Sequence, residues 1–267
     1  MLTEERRQQI LARVNASPEG AIQVSELAEA LGVSGMTIRR DLEELEHKGL
    51  LKRVHGGAIS CLEGLGLTWI PFAARRREYS QEKQQIGWLA AQLVQDGEKI
   101  ILDSGTTTLQ IARRLAEKRE LCLVTNSLPI SEVAARFPHA RVILLGGELR
   151  TDELCSVGSV AAQQVAQYSV DKAFIGASGF SIERGATDSL LPEVEVKQAM
   201  MRAARQAILV VDSSKWNIER FIRIAELGAF HTVITDDHLP PEGLRALQMH
   251  QVEVLMPQGN FTLPREE

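Results

Sequence analysis

The sequence predicts an α/β protein with a mostly parallel sheet flanked by helices, preceded by a small N-terminal winged helix-turn-helix. From about residue 79 onward, short apolar runs that end in polar residues or glycine alternate with helical stretches. This alternation is typical of a parallel sheet with helices on both faces. The apolar runs are KIILD, LCLVTN, RVILLGG, KAFIGASG, AILVVDSS and TVITDD. Residues 1–60 instead show short helical patterns followed by one hairpin pattern.

Composition is that of a soluble globular protein, with 44% apolar and 24% charged residues in a chain of 267. The formal net charge of −5 argues against a uniformly basic coat for nucleic acid, although local patches decide binding.

Cys61, Cys122 and Cys155 form no CxxC pair, so we expect neither a zinc ribbon nor a redox pair, and no metal or cofactor. The chain shows neither a secretory signal nor an apolar run long enough to span a membrane, which favours a cytoplasmic protein.

Glycine and proline interrupt the pattern between Gly57 and Tyr79. We therefore predict a DNA-binding domain at 1–60, a linker at 61–78 and a sensor domain at 79–267. Arg75, Arg76 and Arg77 form a basic run in the linker. This run is interpreted either as a solvated helix start or as a strap that contacts DNA phosphates.

The N-terminal domain shows three helical patterns. Ile10, Leu11 and Val14 give the first helix a core face. Ser25 is predicted to cap the second helix, because its side chain can accept from first-turn N–H groups, and Gly32 is predicted to end it in a left-handed conformation.

The third helix, from Ser34 to Gly49, has the pattern of a recognition helix. Ile38, Leu42 and Leu45 form one apolar stripe. The predicted opposite face carries Thr37, Arg40, Asp41 and Glu44, with Arg39 at its flank. The N-terminal residues of such a helix contact base edges in the major groove, where arginine can pair with guanine.

A short basic hairpin follows in LLKRVHGGAIS. Hairpins of this kind commonly contact phosphates, so this one is predicted to be a wing. The predicted DNA-binding residues of the helix and the wing are Ser34, Met36, Thr37, Arg39, Arg40, Lys52, Arg53 and His55. Residues 1–60 hold eight Lys/Arg and nine Asp/Glu. Because phosphate contacts dominate affinity, tight binding is expected to need a homodimer or homotetramer. The alternative is a three-helix module for protein contacts.

A segment rich in hydroxyl groups, Asp103–Thr108, lies between the strand pattern KIIL and a helix pattern. At such a junction, backbone N–H groups point outward from the positive end of the helix dipole, which suits a phosphate monoester. The segment lacks the GK[ST] ending of a Walker A loop. The alternative is a plain turn with capping threonines.

Other polar strand ends are expected at the same crevice, since ligands of open α/β sheets bind beyond the carboxyl ends of strands. They include Asn126, Gly146 and Gly179, although Gly146 and its neighbour could simply form a tight turn. Lys215 is a candidate partner for phosphate or carboxylate, with a surface lysine as the alternative. For Glu195 and Lys197 the alternative is a solvated helix face.

Two sets of segments resemble the DeoR family of bacterial regulators. The first is ERRQQILARV with VSELAEALGVSGMTIRRDLEELEHKGLLKRVHGGA, in which Gly35 replaces a residue that is usually polar. The second is DSGTTT, VTNS, LLGGELR, DKAFIGASG, GATD and DSSKW, in the family's order, so the resemblance covers roughly residues 1–235. It implies a sensor fold related to sugar-phosphate isomerases and a sugar-phosphate effector. The implied pocket residues are Ser104, Gly105, Thr106, Thr107, Thr108, Asn126, Gly179, Lys197 and Lys215, to which the strand-end argument adds Asp103 and Gly146.

We therefore predict a repressor of a sugar catabolism operon that binds double-stranded operator DNA and has no catalytic residue. The competing hypothesis is a sugar-phosphate isomerase or lyase. Its general base would be Asp103, Asp188, Glu195 or Asp212, with Lys215 as an electrostatic clamp. A third class is a small-molecule-binding protein that does not bind DNA. The helix-turn-helix favours the regulator, because neither alternative needs one.

Overall fold

The computed structural model describes residues 3–17, 21–47, 50–54, 56–60, 72–76 and 78–257. The chain forms two compact units, residues 1–71 and residues 72–267. Each unit has its own hydrophobic core.

The described residues of unit 1 form three helices and a three-stranded antiparallel sheet. The elements are α1 (Thr3–Ala16), β1 (Ala21–Gln23), α2 (Val24–Leu31), α3 (Gly35–His47), β2 (Leu51–Val54) and β3 (Gly57–Ser60). Ile10 and Val14 of α1 are fully buried, and so are Ile38, Leu42 and Leu45 of α3. The predicted core faces and the β2–β3 hairpin are confirmed.

Strand β1 was not predicted. It pairs with β3 and gives the strand order β1-β3-β2. A Cβ at Gly57 would lie 2.3 Å from the carbonyl oxygen of Ile22, so the pairing requires glycine there. Three residues without apolar alternation carry no strand pattern of their own, and only the contact with β3 defines them.

Three of the predicted helix ends in unit 1 lie among the described residues, and two of these predictions are confirmed. Gly32 is left-handed, at φ 63° and ψ 34°, and the Ser34 hydroxyl oxygen accepts the N–H of Thr37 at 3.2 Å. The predicted cap at Ser25 is wrong. Helix α2 begins at Val24 directly after β1, and the Glu26 carboxylate accepts the N–H of Gln23. The predicted end at Gly49 lies outside the described residues.

Unit 2 is built on a seven-stranded sheet in the order β15-β14-β12-β9-β4-β5-β6, in which every pair is parallel. The predicted mostly parallel sheet is confirmed. Its strands are β4 (Lys99–Leu102), β5 (Cys122–Thr125), β6 (Arg141–Leu144), β9 (Val170–Ile175), β12 (Ala204–Val210), β14 (Thr232–Ile234) and β15 (Glu253–Leu255). The helices are α4 (Phe72–Arg75), α5 (Ser80–Gln92), α6 (Thr106–Arg113), α7 (Leu128–Ala134), α8 (Gly158–Val165), α9 (Leu191–Ala203) and α10 (Pro241–Met249).

Successive residues of the central strands point to opposite faces of the sheet. Ile100 and Leu102 pack with α5, α6 and α7, whereas Ile101 packs with α8 and α9. Helices therefore cover both faces, as the alternating sequence pattern predicted. No helix of the described residues is long and apolar enough to cross a membrane.

Two small antiparallel sheets complete unit 2. One joins β10 (Gly179–Ser181), β11 (Gly185–Asp188) and β13 (Ile222–Ala225) in that order. The other is a hairpin of β7 (Glu148–Arg150) and β8 (Cys155–Val157). The sequence pattern did not predict these strands, because each is short and lacks a clear apolar alternation.

The chain enters unit 2 through residues 72–78, of which 72–76 and 78 are described; we call them the lead-in segment. They lie within the stretch predicted to be a linker. Phe72 is buried in the same hydrophobic core as Ile86 of α5. The Lys83 ammonium donates to the carbonyl oxygens of Arg75 at 2.8 Å and Glu78 at 2.7 Å. The lead-in segment is thus held against unit 2 by both apolar and polar contacts.

We predict that Gly87→Ala destabilises unit 2. Gly87 lets α5 approach α6, because a Cβ there would lie 2.6 Å from Gln110 Cβ and 2.7 Å from its carbonyl carbon. Helix propensity alone would favour alanine by about 1 kcal/mol, but overpacking should reverse the sign and cost about 1–3 kcal/mol. Urea unfolding of the full chain, followed by circular dichroism, measures the change.

Gly228→Ala is the matched control, since the nearest atom to its added Cβ would be 3.7 Å away. It should change the free energy of unfolding by less than about 0.5 kcal/mol. Equal stability of the Gly87→Ala chain and wild type would show that the contact between α5 and α6 is not tight.

Candidate DNA-contacting helix and effector site

The N-terminal end of α3 presents the predicted base-contacting side chains to solvent. Met36 is 70% exposed, and Arg39 and Arg40 are exposed as well. The hydroxyls of Ser34 and Thr37 lie 2.9 Å apart and share a hydrogen bond. Around the start of α3, Ser34, Arg39 and Arg40 are therefore exposed and Thr37 is half-buried. Ile38, on the other side of the helix, is buried.

Asp41 does not lie on that exposed face, and the prediction was wrong on this point. Its carboxylate is buried and accepts from Nε of Arg6 at 2.6 Å and Nε of Arg7 at 3.0 Å. Helical periodicity places Asp41 at the edge of the apolar stripe. Only the packing of α1 on α3 shows that two arginines cover it. This cluster fixes α1 against α3.

The wing is described only in part. The Arg53 N–H donates to Glu46 Oε1 at 2.8 Å, and its guanidinium lies 3.7 Å from Glu43 and 3.9 Å from Glu46. Part of the Arg53 charge is thus offset by carboxylates of α3. The Lys52 side chain and His55 lie outside the described residues.

In unit 2, residues Asp103–Thr108 form the predicted strand-turn-helix junction, which we call the threonine turn. It runs from the carboxyl end of β4 into the first turn of α6. Gly105 has a φ of 152°, a conformation that favours glycine. Thr106, Thr107 and Thr108 are all buried, and the Thr108 hydroxyl donates to the carbonyl oxygen of Gly105 at 3.1 Å. The Thr108 hydroxyl proton is therefore used within the turn, which leaves the other two hydroxyls and the first-turn N–H groups as donors.

Asn126 holds the threonine turn in place. Its Oδ1 accepts the N–H of Ser104 at 3.0 Å, and its Nδ2 donates to the carbonyl oxygen of Ser156 at 2.9 Å. Both ends of the amide are engaged. Asn126 thus connects the turn to β8.

The centre of the site is a buried ion pair between Asp103 and Lys197. The Lys197 ammonium donates to Asp103 Oδ2 at 2.5 Å and to the Gly176 carbonyl oxygen at 3.1 Å, and it lies 3.5 Å from Asp188. Burial alone lowers the pKa of Lys197, but the carboxylates of Asp103, Asp188 and Glu193 raise it above its ordinary value. The lysine is therefore charged at neutral pH.

The exposure of Glu195 and Lys197 in α9 shows whether each side chain lies at the site or on a solvated helix face. Lys197 is only 4% exposed, which excludes a solvated surface position. Glu195 is exposed and matches the solvated alternative. Asp103 is 1% exposed, and its Oδ1 has no hydrogen-bond partner among the described residues.

The remaining predicted residues have contacts of their own. The Gly146 N–H donates to Gln164 Oε1 at 2.7 Å. A Cβ at Gly179 would lie 2.2 Å from the Ile218 carbonyl oxygen, so packing requires that glycine. Lys215 is half-buried in a short 3-10 helix that follows β12. Since β12 and β4 are parallel strands of one sheet, Lys215 and the threonine turn lie at the same sheet edge.

Arg150 lies in the LLGGELR segment but was not among the predicted site residues. Its guanidinium donates to Glu193 at 2.5 Å and to both oxygens of Asp152. Burial and the neighbouring Asp188 raise the pKa of Glu193 to about 7, while Lys197 and Arg150 oppose the change. Burial also raises the pKa of the Cys155 thiol to about 12, so this thiol stays protonated at neutral pH.

We predict that wild-type protein loses stability relative to Glu193→Gln as the pH rises from about 4.5 to about 7. The folded protein holds the Glu193 proton more tightly than the unfolded chain does, so ionisation disfavours folding across this window. The difference should reach up to about 3 kcal/mol, since one pKa unit is worth about 1.4 kcal/mol. Urea unfolding of both proteins across this pH range measures it.

Glu195→Gln is the control, because its side chain is exposed on the same helix. It should leave the pH dependence of wild type unchanged. A stability gap between wild type and Glu193→Gln that is constant with pH would contradict the assigned environment of Glu193.

Comparison with known protein families covers both units. Residues 6–63 match the DeoR-like helix-turn-helix domain, and residues 78–237 match the DeoR C terminal sensor domain. Among solved structures, ribose 5-phosphate isomerase A from Methanocaldococcus jannaschii aligns with a TM-score of 0.38 and 19% identity. That alignment covers 51% of this chain and 54% of the isomerase.

Three similar proteins align over most of their length. An uncharacterised HTH-type transcriptional regulator of Bacillus subtilis is 37% identical over 254 residues, covering 95% of this chain and 96% of that protein. An HTH-type transcriptional repressor of Escherichia coli is 32% identical over 242 residues, covering 90% of each chain. The glycerol-3-phosphate regulon repressor of Escherichia coli is 29% identical over 236 residues, covering 88% and 92%. The chain therefore belongs to the DeoR family of transcriptional regulators, with a DeoR-like helix-turn-helix domain followed by a DeoR C terminal sensor domain.

Proposed function

We propose that this protein is a repressor of a sugar catabolism operon that binds operator DNA through unit 1 and releases it when unit 2 binds a sugar phosphate. The observation that carries the proposal is the threonine turn. This turn joins a strand to a helix and is anchored by the buried Asp103–Lys197 pair. The same chain carries a recognition helix whose arginines face solvent. The glycerol-3-phosphate regulon repressor is a relative whose name includes a small phosphorylated molecule.

On the DNA side, α3 would enter the major groove. Met36, Thr37, Arg39 and Arg40 lie near its N-terminal end, from which recognition helices contact base edges. Ser34, Lys52, Arg53 and His55 are assigned to the DNA backbone. The near-zero charge of residues 1–60 leaves one head with few phosphate contacts, so two or four copies would act together on repeated half-sites.

On the effector side, the first-turn N–H groups of α6 and the hydroxyls of Thr106 and Thr107 would hold the phosphate. Lys215, from the parallel strand end, would add positive charge. Asp103, Asn126 and Lys197 would orient the turn and the sugar end of the effector, with Gly105, Gly146 and Gly179 shaping the backbone around it.

The contacts of the carboxylates favour a sensor over an isomerase. Asp103 is bound to Lys197 and to the Gly176 N–H, and Asp212 accepts the hydroxyl of Ser214. Glu195 is exposed. Asp188, the fourth candidate, accepts the Ser178 hydroxyl and the Ser189 N–H. A general base must reach a substrate proton. Three of these carboxylates are buried and bound by neighbouring groups through at least one oxygen, and Glu195 lies on the surface. Turnover of pentose or hexose phosphates by a chain that lacks residues 1–60 would contradict this choice.

We predict that Arg40→Ala weakens operator binding without changing effector affinity. A bidentate contact between arginine and a base contributes about 1–3 kcal/mol of discrimination, so the dissociation constant should rise about 5- to 150-fold. The operator is first selected from random duplexes, and binding is then measured at one fixed salt concentration. Arg13→Ala, exposed on α1, should behave like wild type. Unchanged operator affinity in Arg40→Ala would exclude this arginine from the interface.

We predict that Thr106→Val weakens sugar-phosphate binding and leaves operator affinity in place. A hydrogen bond to a charged group contributes about 1.5–3 kcal/mol, so effector affinity should fall about 10- to 150-fold. A thermal-shift panel of pentose, hexose and glycerol phosphates identifies the effector first, because a ligand that binds only folded protein raises its stability.

Thr232→Val is the matched control for this change. Thr232 is also a buried threonine, but it begins β14 and donates to Glu253, so it lies at the opposite edge of the sheet. Loss of the thermal shift in Thr232→Val, or its persistence at wild-type strength in Thr106→Val, would remove the threonine turn from the effector site.

A further inference from the structure

The hairpin of β7 and β8 contacts three functional parts of unit 2 at once. Asn126 links β8 to the threonine turn, Arg150 of β7 pairs with α9, and Glu153 in the hairpin loop pairs with the lead-in segment. The hairpin therefore lies between the proposed effector site and the stretch of chain that leads back to unit 1.

The contact with the threonine turn runs through the backbone of β8. Besides bridging Ser104 and Ser156 with its amide, Asn126 accepts the Ser156 N–H at its own carbonyl oxygen, at 2.8 Å. The Ser156 hydroxyl donates to the Leu145 carbonyl oxygen at 2.5 Å. A shift of the Ser104 N–H would consequently move a hydrogen-bonded unit, not a single side chain.

The contact with α9 is a chain of charges. Arg150 joins Asp152 of the hairpin loop to Glu193 in the first turn of α9. Glu193 and Lys197 are four residues apart, so they lie on the same face of that helix. Lys197 in turn holds Asp103, the first residue of the threonine turn.

The contact with the lead-in segment is the ion pair between Arg75 and Glu153. These residues are 78 positions apart in sequence, and the Glu153 side chain is only 7% exposed. The backbone of Arg75 is fixed at the same point, because Lys83 binds its carbonyl oxygen. Arg75 thus has its carbonyl group held by α5 and its guanidinium held by the hairpin.

We propose that the β7–β8 hairpin transmits occupancy of the effector site to the lead-in segment, and that the Arg75–Glu153 pair is the contact that delivers it. The inference rests on the proposed binding of a phosphorylated effector at the threonine turn. In this proposal the phosphate also takes the Ser104 N–H, which Asn126 Oδ1 accepts at 3.0 Å in this structure, so the effector has different contacts in the two states of the hairpin. Such a difference is what any ligand needs in order to shift a conformational equilibrium.

Arg75 and Glu153 are accordingly positioning residues, which act through the hairpin and do not touch the effector. A nearly buried ion pair depends strongly on its geometry, since its partners have lost their water. Small movements of the hairpin loop can therefore loosen or tighten the lead-in segment.

The test uses the full chain, with inorganic phosphate as the probe at ionic strength matched with chloride. Two measurements are made on each protein: the thermal shift, which reports phosphate binding, and deuterium uptake by amides of residues 72–83, which reports opening of the lead-in segment. In wild type, phosphate should change the uptake rate by about fivefold or more, the lower end of ordinary coupling between sites.

The variants are Glu153→Gln and Arg75→Gln, with Glu132→Gln as the matched control. The control removes an exposed pair with Arg136, both partners being more than 70% exposed. Glu153→Gln and Arg75→Gln should keep the phosphate-induced thermal shift while their uptake in residues 72–83 no longer responds. In the double variant, deuterium uptake in residues 72–83 should lose its response to phosphate to the same extent as in either single variant, because both residues act through one contact. Should Glu153→Gln fail to fold, Arg75→Gln decides the test, because the Arg75 side chain is 25% exposed.

Two results separate the inference from the proposed function. If phosphate stabilises wild type but uptake in residues 72–83 does not change, or changes equally in Glu153→Gln, the inference is overturned and the effector site stands. If neither phosphate nor any sugar phosphate shifts the melting temperature, the effector site itself is refuted and the inference falls with it.

Discussion

The buried ion pair between Asp103 and Lys197 is the interaction on which the geometry of unit 2 depends. It joins the end of β4 to the middle of α9, across 94 positions of sequence. Removing two charges from water is costly unless further hydrogen bonds satisfy them. The Gly176 carbonyl oxygen accepts from the lysine, and the Gly176 N–H donates to the aspartate. The pair therefore fixes two strand ends and one helix around the threonine turn.

Close packing of α5 against α6 holds the helix that follows the threonine turn. Gly87 allows α5 to lie against the backbone of α6, so the helix that follows the threonine turn cannot shift toward α5. With Asp103 held at its beginning by Lys197 and α6 held beyond it by packing, both ends of the turn are fixed. Under the proposed function, this rigidity would reduce the entropy that is lost when the effector binds.

In unit 1 the comparable constraint is the cluster of Asp41 with Arg6 and Arg7. It orients α3 on α1, but it also uses two of the basic residues of a domain that has no excess of positive charge. Arg53 is similarly close to two glutamates. Among the described residues, Arg39 and Arg40 at the start of α3 are exposed and lie outside this cluster. Such a head is suited to selecting a sequence, and the proposed assembly of two or four copies would supply the affinity.

The sequence alone was sufficient wherever a short-range rule applies. The stripe of Ile38, Leu42 and Leu45, the left-handed Gly32 and the turn at Asp103–Thr108 all follow from helical period, backbone sterics or helix capping. The capping prediction at Ser25 failed because strand pairing at β1, a contact with residues more than thirty positions away, set the start of the helix instead.

Tertiary structure decided which polar residues are paired. The burial of Asp41, the network around Arg150 and the link between Arg75 and Glu153 join residues that no periodic pattern relates. What the sequence by itself determined about this protein is its two domains, their elements and the edge of the sheet where polar residues gather, because these follow from local backbone preferences and from the alternation of apolar residues. Which charges meet was settled only by packing, since burial makes a charged side chain depend on whichever partner the rest of the chain brings to it.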